Sequence, residues 1–154
     1  MPISWAIIEL RKELVMSTVN AAAHKTFGRG FSNERQFVKL TYDFANDAGA
    51  AADAIRLGTT NGKILVMDSV VHVETACTSG GSATVAVGIE GGDVDAFMDT
   101  TSGAVANLVD DFCNQETAGQ GLVIANGGAV LLDIATADLT AGKINVLLSY
   151  VNID

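Results

Sequence analysis

From Glu34 onward, apolar and polar residues alternate one by one, and glycine-rich or Asn-Gly breaks end each alternating run. Period two places successive side chains on opposite faces of a β-strand, whereas a helix needs spacings of three and four. Phe37, Lys39, Thr41 and Asp43 interleave with Val38, Leu40, Tyr42 and Phe44, so the first strand has one apolar and one mostly polar face. Residues 53–57 place Ile55 and Leu57 on one face, and residues 63–76 (KILVMDSVVHVETA) form a long β-rich run. Residues 82–89 make another strand, with Thr84, Ala86 and Gly88 opposite Val85, Val87 and Ile89. Further short strands are expected at 95–99, 121–125, 129–135 and 143–152, while AVANLVDDFC (104–113) fits a helical turn or a strand. GTTNG, Gly80-Gly81, Gly91-Gly92, NGG and ADLTAG read as turns, with Asn61-Gly62 a strong turn pair.

About eight strands with short turns, and no long helices between them, disfavour a parallel α/β sheet. Each sheet must bury one face, so the expected fold is all-β, a two-sheet antiparallel sandwich. The 154 residues suit one such domain, and a chain 49% apolar and 18% charged can build a core. No apolar run approaches the ~20 residues of a membrane span. The start lacks a positive region ahead of its apolar part, so no secretion signal is expected. Cys77 and Cys113 read as free thiols in a reducing compartment.

Residues 1–33 follow another pattern and are set apart as an N-terminal arm, with residues 34–154 as the sandwich domain. Ile3, Ile7, Leu10 and Leu14 have helical spacing, Ser4 is a candidate cap, and Arg11, Lys12 and Glu13 lie on the other side. A short amphipathic helix over about residues 4–16 is expected, and its apolar stripe also holds Trp5 and Ile8. It packs either on its own domain or on a neighbouring subunit. NAAAHKTFGRGFSN then reads as an extended linker.

Charge divides the chain the same way. Residues 1–40 hold six Lys or Arg against three acids, whereas residues 41–154 hold three against fifteen. The acidic body repels phosphates, so no nucleic-acid partner is expected. The basic arm either docks on an acidic partner surface or is a solvated cluster.

Catalytic and cofactor motifs fare poorly. Gly80-Gly81-Ser82 has no lysine to meet a phosphate, and Gly28-Arg29-Gly30 has Asn33 where a dinucleotide loop needs its third glycine. His24, His72, Cys77 and Cys113 lack paired zinc spacing, and His72 reads as a strand histidine on the face of Val70 and Glu74. Asp93, Asp95 and Asp99 begin like a calcium loop, but Phe97 takes the third ligand place and Met98 the glycine place. Glu90, Asp93, Asp95 and Asp99 are calcium candidates only if the fold gathers them. Asp110-Asp111 forms a second acidic pair without a partner motif, and no nucleophile elbow exists. No enzyme activity, cofactor or metal is expected.

One resemblance stands beside this reading. It is carried by Val71-His-Val-Glu-Thr-Ala76, Ser79-Gly-Gly-Ser-Ala-Thr-Val-Ala-Val-Gly88 and Asp93-Val-Asp-Ala-Phe-Met98. Ala137-Asp-Leu-Thr-Ala-Gly-Lys-Ile-Asn-Val-Leu-Leu-Ser-Tyr-Val151 completes it. In that order they resemble small structural proteins of tailed bacteriophages, especially the jelly-roll decoration (cement) proteins of capsids. The likeness covers about residues 36–152. It implies a jelly roll, a homotrimer, and attachment to the major capsid protein outside the head at local threefold positions, after synthesis in the host cytoplasm. The arm would be a clamp, with Trp5, Ile8, Arg11, Lys12, Lys25, Arg29 and Arg35 as capsid-contact candidates. A tail fibre, receptor-binding or carbohydrate-binding sandwich is the alternative, but a sugar site calls for exposed aromatics and the only tryptophan, Trp5, lies in the arm.

Overall fold

The computed structural model describes residues 18–28, 34–47 and 49–154. The helix expected at 4–16 lies outside them, as do Trp5, Ile8, Arg11, Lys12 and Arg29.

Two sheets pack face to face. The four-stranded sheet runs β1 (Thr18–Phe27), β3 (Ala54–Thr60), β8 (Ala129–Ala135), β5 (Thr84–Ile89). The five-stranded sheet runs β2 (Gln36–Asp43), β9 (Leu139–Asn152), β4 (Ile64–Ser79), β6 (Cys113–Asn114), and β7 (Leu122–Ile124) also pairs with β4. All of these pairs are antiparallel except β1 with β3. The architecture is the expected all-β, jelly-roll-like sandwich. Among the described residues no helix is long and apolar enough to cross a membrane.

The core is the set of alternating positions that face inward. The five-stranded sheet contributes Leu40 and Tyr42, Val71 and Val73, and Ile144, Val146, Leu148 and Tyr150. Ile55 and Leu57, Val85 and Val87, and Val130, Leu132 and Ile134 meet them from the other sheet. Burying one such side chain stabilises the fold by about 1.5–3 kcal/mol relative to exposure.

Period two holds along β4 only because of a bulge. Val66 pairs with Tyr150, but Asp68 pairs with the next residue, Ser149, so Met67 is an extra residue. Ile64 and Val66 face the core before the bulge, and Val71 and Val73 after it. If strict alternation ran on through Met67 without the bulge, Asp68 would follow Val66 inward.

Several segments depart from the expected pattern. Residues 20–27 of the expected linker belong to β1 instead. Its buried positions, Ala21 and Phe27, with the half-buried His24 between them, recur every third residue, because the register with β3 shifts between Asn20 and Lys25. GTTNG is a turn only at Asn61-Gly62, since Gly58 and Thr59 pair with both β1 and β8. The ADLTAG turn is shorter than expected, because β9 begins at Leu139, which is buried and pairs with Ser79. Residues 95–99 are not a strand. They lie along the free edge of β5, where Phe97 N–H donates to Val87 O at 2.8 Å and Val87 N–H donates to Met98 O at 3.0 Å, with Phe97 fully buried. A Cβ on Gly88 would collide with the backbone of Asp93 and Val94, so this glycine admits the chain's own loop. Residues 104–113 contain a single 3-10 turn, Val105–Asn107, and end on Cys113, the first residue of β6. Gly80-Gly81 joins β4 to β5, and therefore carries the chain from one sheet to the other.

Candidate functional site

The five-stranded sheet has an outer face whose two ends differ. At one end, Thr41, Asn145 and His72 occupy one cross-strand row, and Lys143 and Glu74 extend it. Thr41 Oγ1 donates to Asn145 Oδ1 at 2.9 Å, and Asn145 Nδ2 donates to Glu74 Oε2 at 2.9 Å. Lys143 Nζ donates to the other oxygen of Glu74 at 3.1 Å. Those bonds, Asn145 first and Lys143 second, hold the Glu74 carboxyl below its ordinary range. His72 Nε2 lies 3.3 Å from Asp111 Oδ1.

The other end is an open groove of about 340 Å³. The row Phe37, Ser149, Asp68 and the row Lys39, Leu147, Val70 form it, with Arg35 at its rim. Phe37 is 76% exposed and Leu147 is 40% exposed. Met67, the extra residue at the bulge, and Val123 on β7 are further exposed apolar residues of this sheet. Single exposed apolar residues are ordinary, whereas several on one face beside a groove mark an interaction surface. Ser149 belongs to the groove lining, and its Oγ is buried without a hydrogen-bond partner among the described residues. An unsatisfied buried hydroxyl costs about 1–3 kcal/mol, which an occupant that bonds it would recover.

The sequence's site candidates fall at separate places. Arg35 lines this groove. Lys25 lies on β1 and donates from Nζ to Lys39 O at 2.9 Å, so these two capsid-contact candidates approach the same edge of the molecule. The calcium candidates are not drawn to one point. Glu90 makes a two-pronged bond with Arg56, Nε to Oε2 and Nη2 to Oε1, both 2.6 Å, and its pKa is lowered by it. Asp95 N–H donates to Asp93 Oδ1 at 3.4 Å, and the neighbouring Asp93 carboxyl raises the pKa of Asp95. Asp99 accepts from Ser102 N–H at 2.7 Å, which lowers its pKa. Among the described residues no group of three or more His, Cys, Asp or Glu could hold a metal ion. Asp110 accepts from Ala76 N–H at 2.6 Å, and its neighbour Asp111 faces His72. Both cysteines are free thiols. Cys77 is buried, which pushes its pKa up to about 11, and Cys113 is exposed.

Sequence reasoning did not find the groove. Its signal was Phe37 at an outward position of a strand whose other outward residues, Lys39, Thr41 and Asp43, are polar.

No protein-family model matches the chain, and no curated protein matches it. Solved structures do. The fold is similar to a chain of the capsid of Ralstonia phage GP4, with a TM-score of 0.64 and 16% identity over 89% of this chain and 99% of that one. It is similar to a chain of the cyanophage Pam1 capsid asymmetric unit, with a TM-score of 0.57 and 18% identity over 82% of this chain and 90% of that one. A chain of the acid-stable capsid of Helicobacter pylori bacteriophage KHP30 gives a TM-score of 0.50 and 14% identity, covering 79% of this chain and 90% of that one. At these identities, what is shared is the fold.

Proposed function

We propose that this chain is a non-enzymatic structural protein of a phage virion, a decoration protein that binds the outside of the assembled head as a homotrimer and stabilises it. The observation that carries the reading is the fold match, nearly end to end, to a chain of a phage capsid. The resemblance in the strand and turn wording of residues 71–98 and 137–151 supports the same reading independently of the coordinates. The open apolar groove supports it physically, because a protein that works by contact needs an unfinished surface.

The mechanism is linkage. A protein that binds the closed shell but not its separated subunits shifts the equilibrium toward the shell by RT ln(1 + [L]/Kd), about 2.7 kcal/mol per site at a hundredfold excess over Kd. The N-terminal arm is the clamp, reaching onto the major capsid protein or a neighbouring trimer, with Trp5, Ile8, Arg11, Lys12, Lys25, Arg29 and Arg35 as capsid-contact candidates. The acidic body faces solvent.

The test adds purified protein to empty heads of the parent phage that lack it. Co-sedimentation at a saturating, fixed ratio and a higher disruption temperature are expected. Because Thr18–Phe27 form a strand of the sandwich, the arm is removed as residues 1–17, and what remains should sediment poorly with heads. No co-sedimentation of the full chain would overturn the proposal. One observation favours a second reading: the exposed Phe37 ring beside Asp68 and Arg35 is the kind of platform a sugar-binding tail protein displays. Glycan-array binding that Phe37→Ala abolishes would favour that reading.

A further inference from the structure

We propose that the groove at Phe37 and Leu147 receives the acidic edge of a second copy of this chain, with Val94 and the carboxylates of Asp93 and Asp95 at the centre of the contact. The proposal rests on the self-association in the reading above and names the two surfaces that carry it.

The fold sorts charge onto its two lateral edges. On one side β1 and β2 are the edge strands of their sheets, and Lys25 Nζ, donating to Lys39 O at 2.9 Å, ties them together. Lys25, Arg35 and Lys39 stand there, and none pairs with a carboxylate among the described residues. On the other side the edge strands are β5 and β6. Asn114 Nδ2 donates to Phe97 O at 3.4 Å and Ser102 Oγ to Glu116 Oε1 at 3.3 Å, which joins the loop along β5 to the segment around β6. Residues 64–142 hold no Lys or Arg. Asp93, Asp95, Asp110 and Asp111 all lie at this edge, and none pairs with a lysine or arginine among the described residues. Across a four-stranded sheet the two edges are about 14 Å apart, beyond the Debye length of about 8 Å. Their charges therefore do not neutralise each other within one chain.

Shape and chemistry fit a second copy. Val94 and Val109 are 46% and 54% exposed at the acidic edge, as Phe37 and Leu147 are beside the basic one. The Val94 loop is fastened to β5, with Ile89 N–H donating to Asp93 O at 2.8 Å. It presents an apolar tip framed by two carboxylates. The groove presents an apolar floor of Phe37, Val70 and Leu147, framed by Arg35 and Lys39. The buried, unpartnered Ser149 hydroxyl can donate to a carboxylate that reaches it. Within its own chain Asp95 has the like charge of Asp93 beside it, which raises its pKa, and a neighbour's cations relieve that repulsion.

The two surfaces differ, so the contact is head-to-tail. Surfaces facing opposite ways would build an open filament. The groove, however, opens on the outer sheet face, roughly at right angles to the acidic edge, so each copy turns relative to the last and the contact can close into a ring. Arg35 thereby passes from the capsid contacts to the contact between copies, and the rest of the acidic body stays toward solvent.

Charge reversal tests the pairing, with association read by analytical ultracentrifugation and folding by melting temperature. Arg35→Glu with Lys39→Glu makes both edges acidic, and Asp93→Lys with Asp95→Lys makes both basic. Each pair of changes should leave the melting temperature in place, because all four side chains are exposed, and raise the concentration needed for association about tenfold or more. All four changes in one chain should restore association. Independently, a Cys113→Ser chain carrying Phe37→Cys, mixed with a Cys113→Ser chain carrying Val94→Cys, should form a disulfide-linked heterodimer under mild oxidation. Within one chain those positions are too far apart to be bridged. Absence of the heterodimer, reversed chains that associate unchanged, or a folded four-change chain that does not recover association would overturn the pairing of the edges and leave self-association standing. A chain that is monomeric at every concentration would overturn both.

Discussion

The two ends of one sheet face solve the same problem differently. At Thr41, Asn145, Glu74 and Lys143, the outward side chains bond one another, so that end is complete without a partner. At Phe37, Leu147 and Ser149 the outward side chains are an exposed ring, an exposed aliphatic group and an unpartnered hydroxyl. The strands are shared, so the contrast comes from side chains alone. It shows that one end of the face satisfies its own polar groups, whereas the other leaves a hydroxyl unpartnered at some cost.

Inner-face variants set the scale for breaking this contrast. Leu40→Ala, on β2 three residues from Phe37 and fully buried, should cost about 2–5 kcal/mol in urea unfolding. Asn145→Ala strands Thr41 and Glu74 at the complete end and should cost about 1–3 kcal/mol by the same measurement. Phe37→Ala at the open end should change unfolding by no more than about 0.5 kcal/mol while weakening association. A large loss there would mean that the ring belongs to the core.

The smallest effect is a pH dependence on the opposite sheet. Asp133 of β8 is half buried, and burial first, then Glu90, raises its pKa. The folded state therefore binds this proton more tightly than the unfolded state does. Stability from this group is full below the unfolded pKa and declines as pH rises through the raised folded value. Asp133→Asn should raise the melting temperature slightly at neutral pH, with the gain vanishing in acid. A gain that persists in acid would exclude the titration as its cause.

Much of this fold was legible in the sequence. Residues 129–135 read as a strand and form β8. The face expected for Ile144, Val146, Leu148 and Tyr150 is the buried one. Alternation carries that information wherever one sheet face meets core. β1 escaped because its register shift turns its buried positions to every third residue, and residues 95–99 because an apolar run that covers a strand edge resembles a strand. The Met67 bulge was invisible because Ile64-Leu65-Val66-Met67 is an unbroken apolar run, with no alternation whose slip would mark the inserted residue. The groove was half legible. Phe37 was placed on the outward face, but Ser149, Asp68 and Leu147 come to it from strands distant in sequence, through pairings that only the fold reveals.

The most direct measurement is electron cryomicroscopy of the parent virion. The account predicts this sandwich on the outside of the head at local threefold positions, in trimers. Finding the chain only at the tail tip, or absent from the particle, would contradict it.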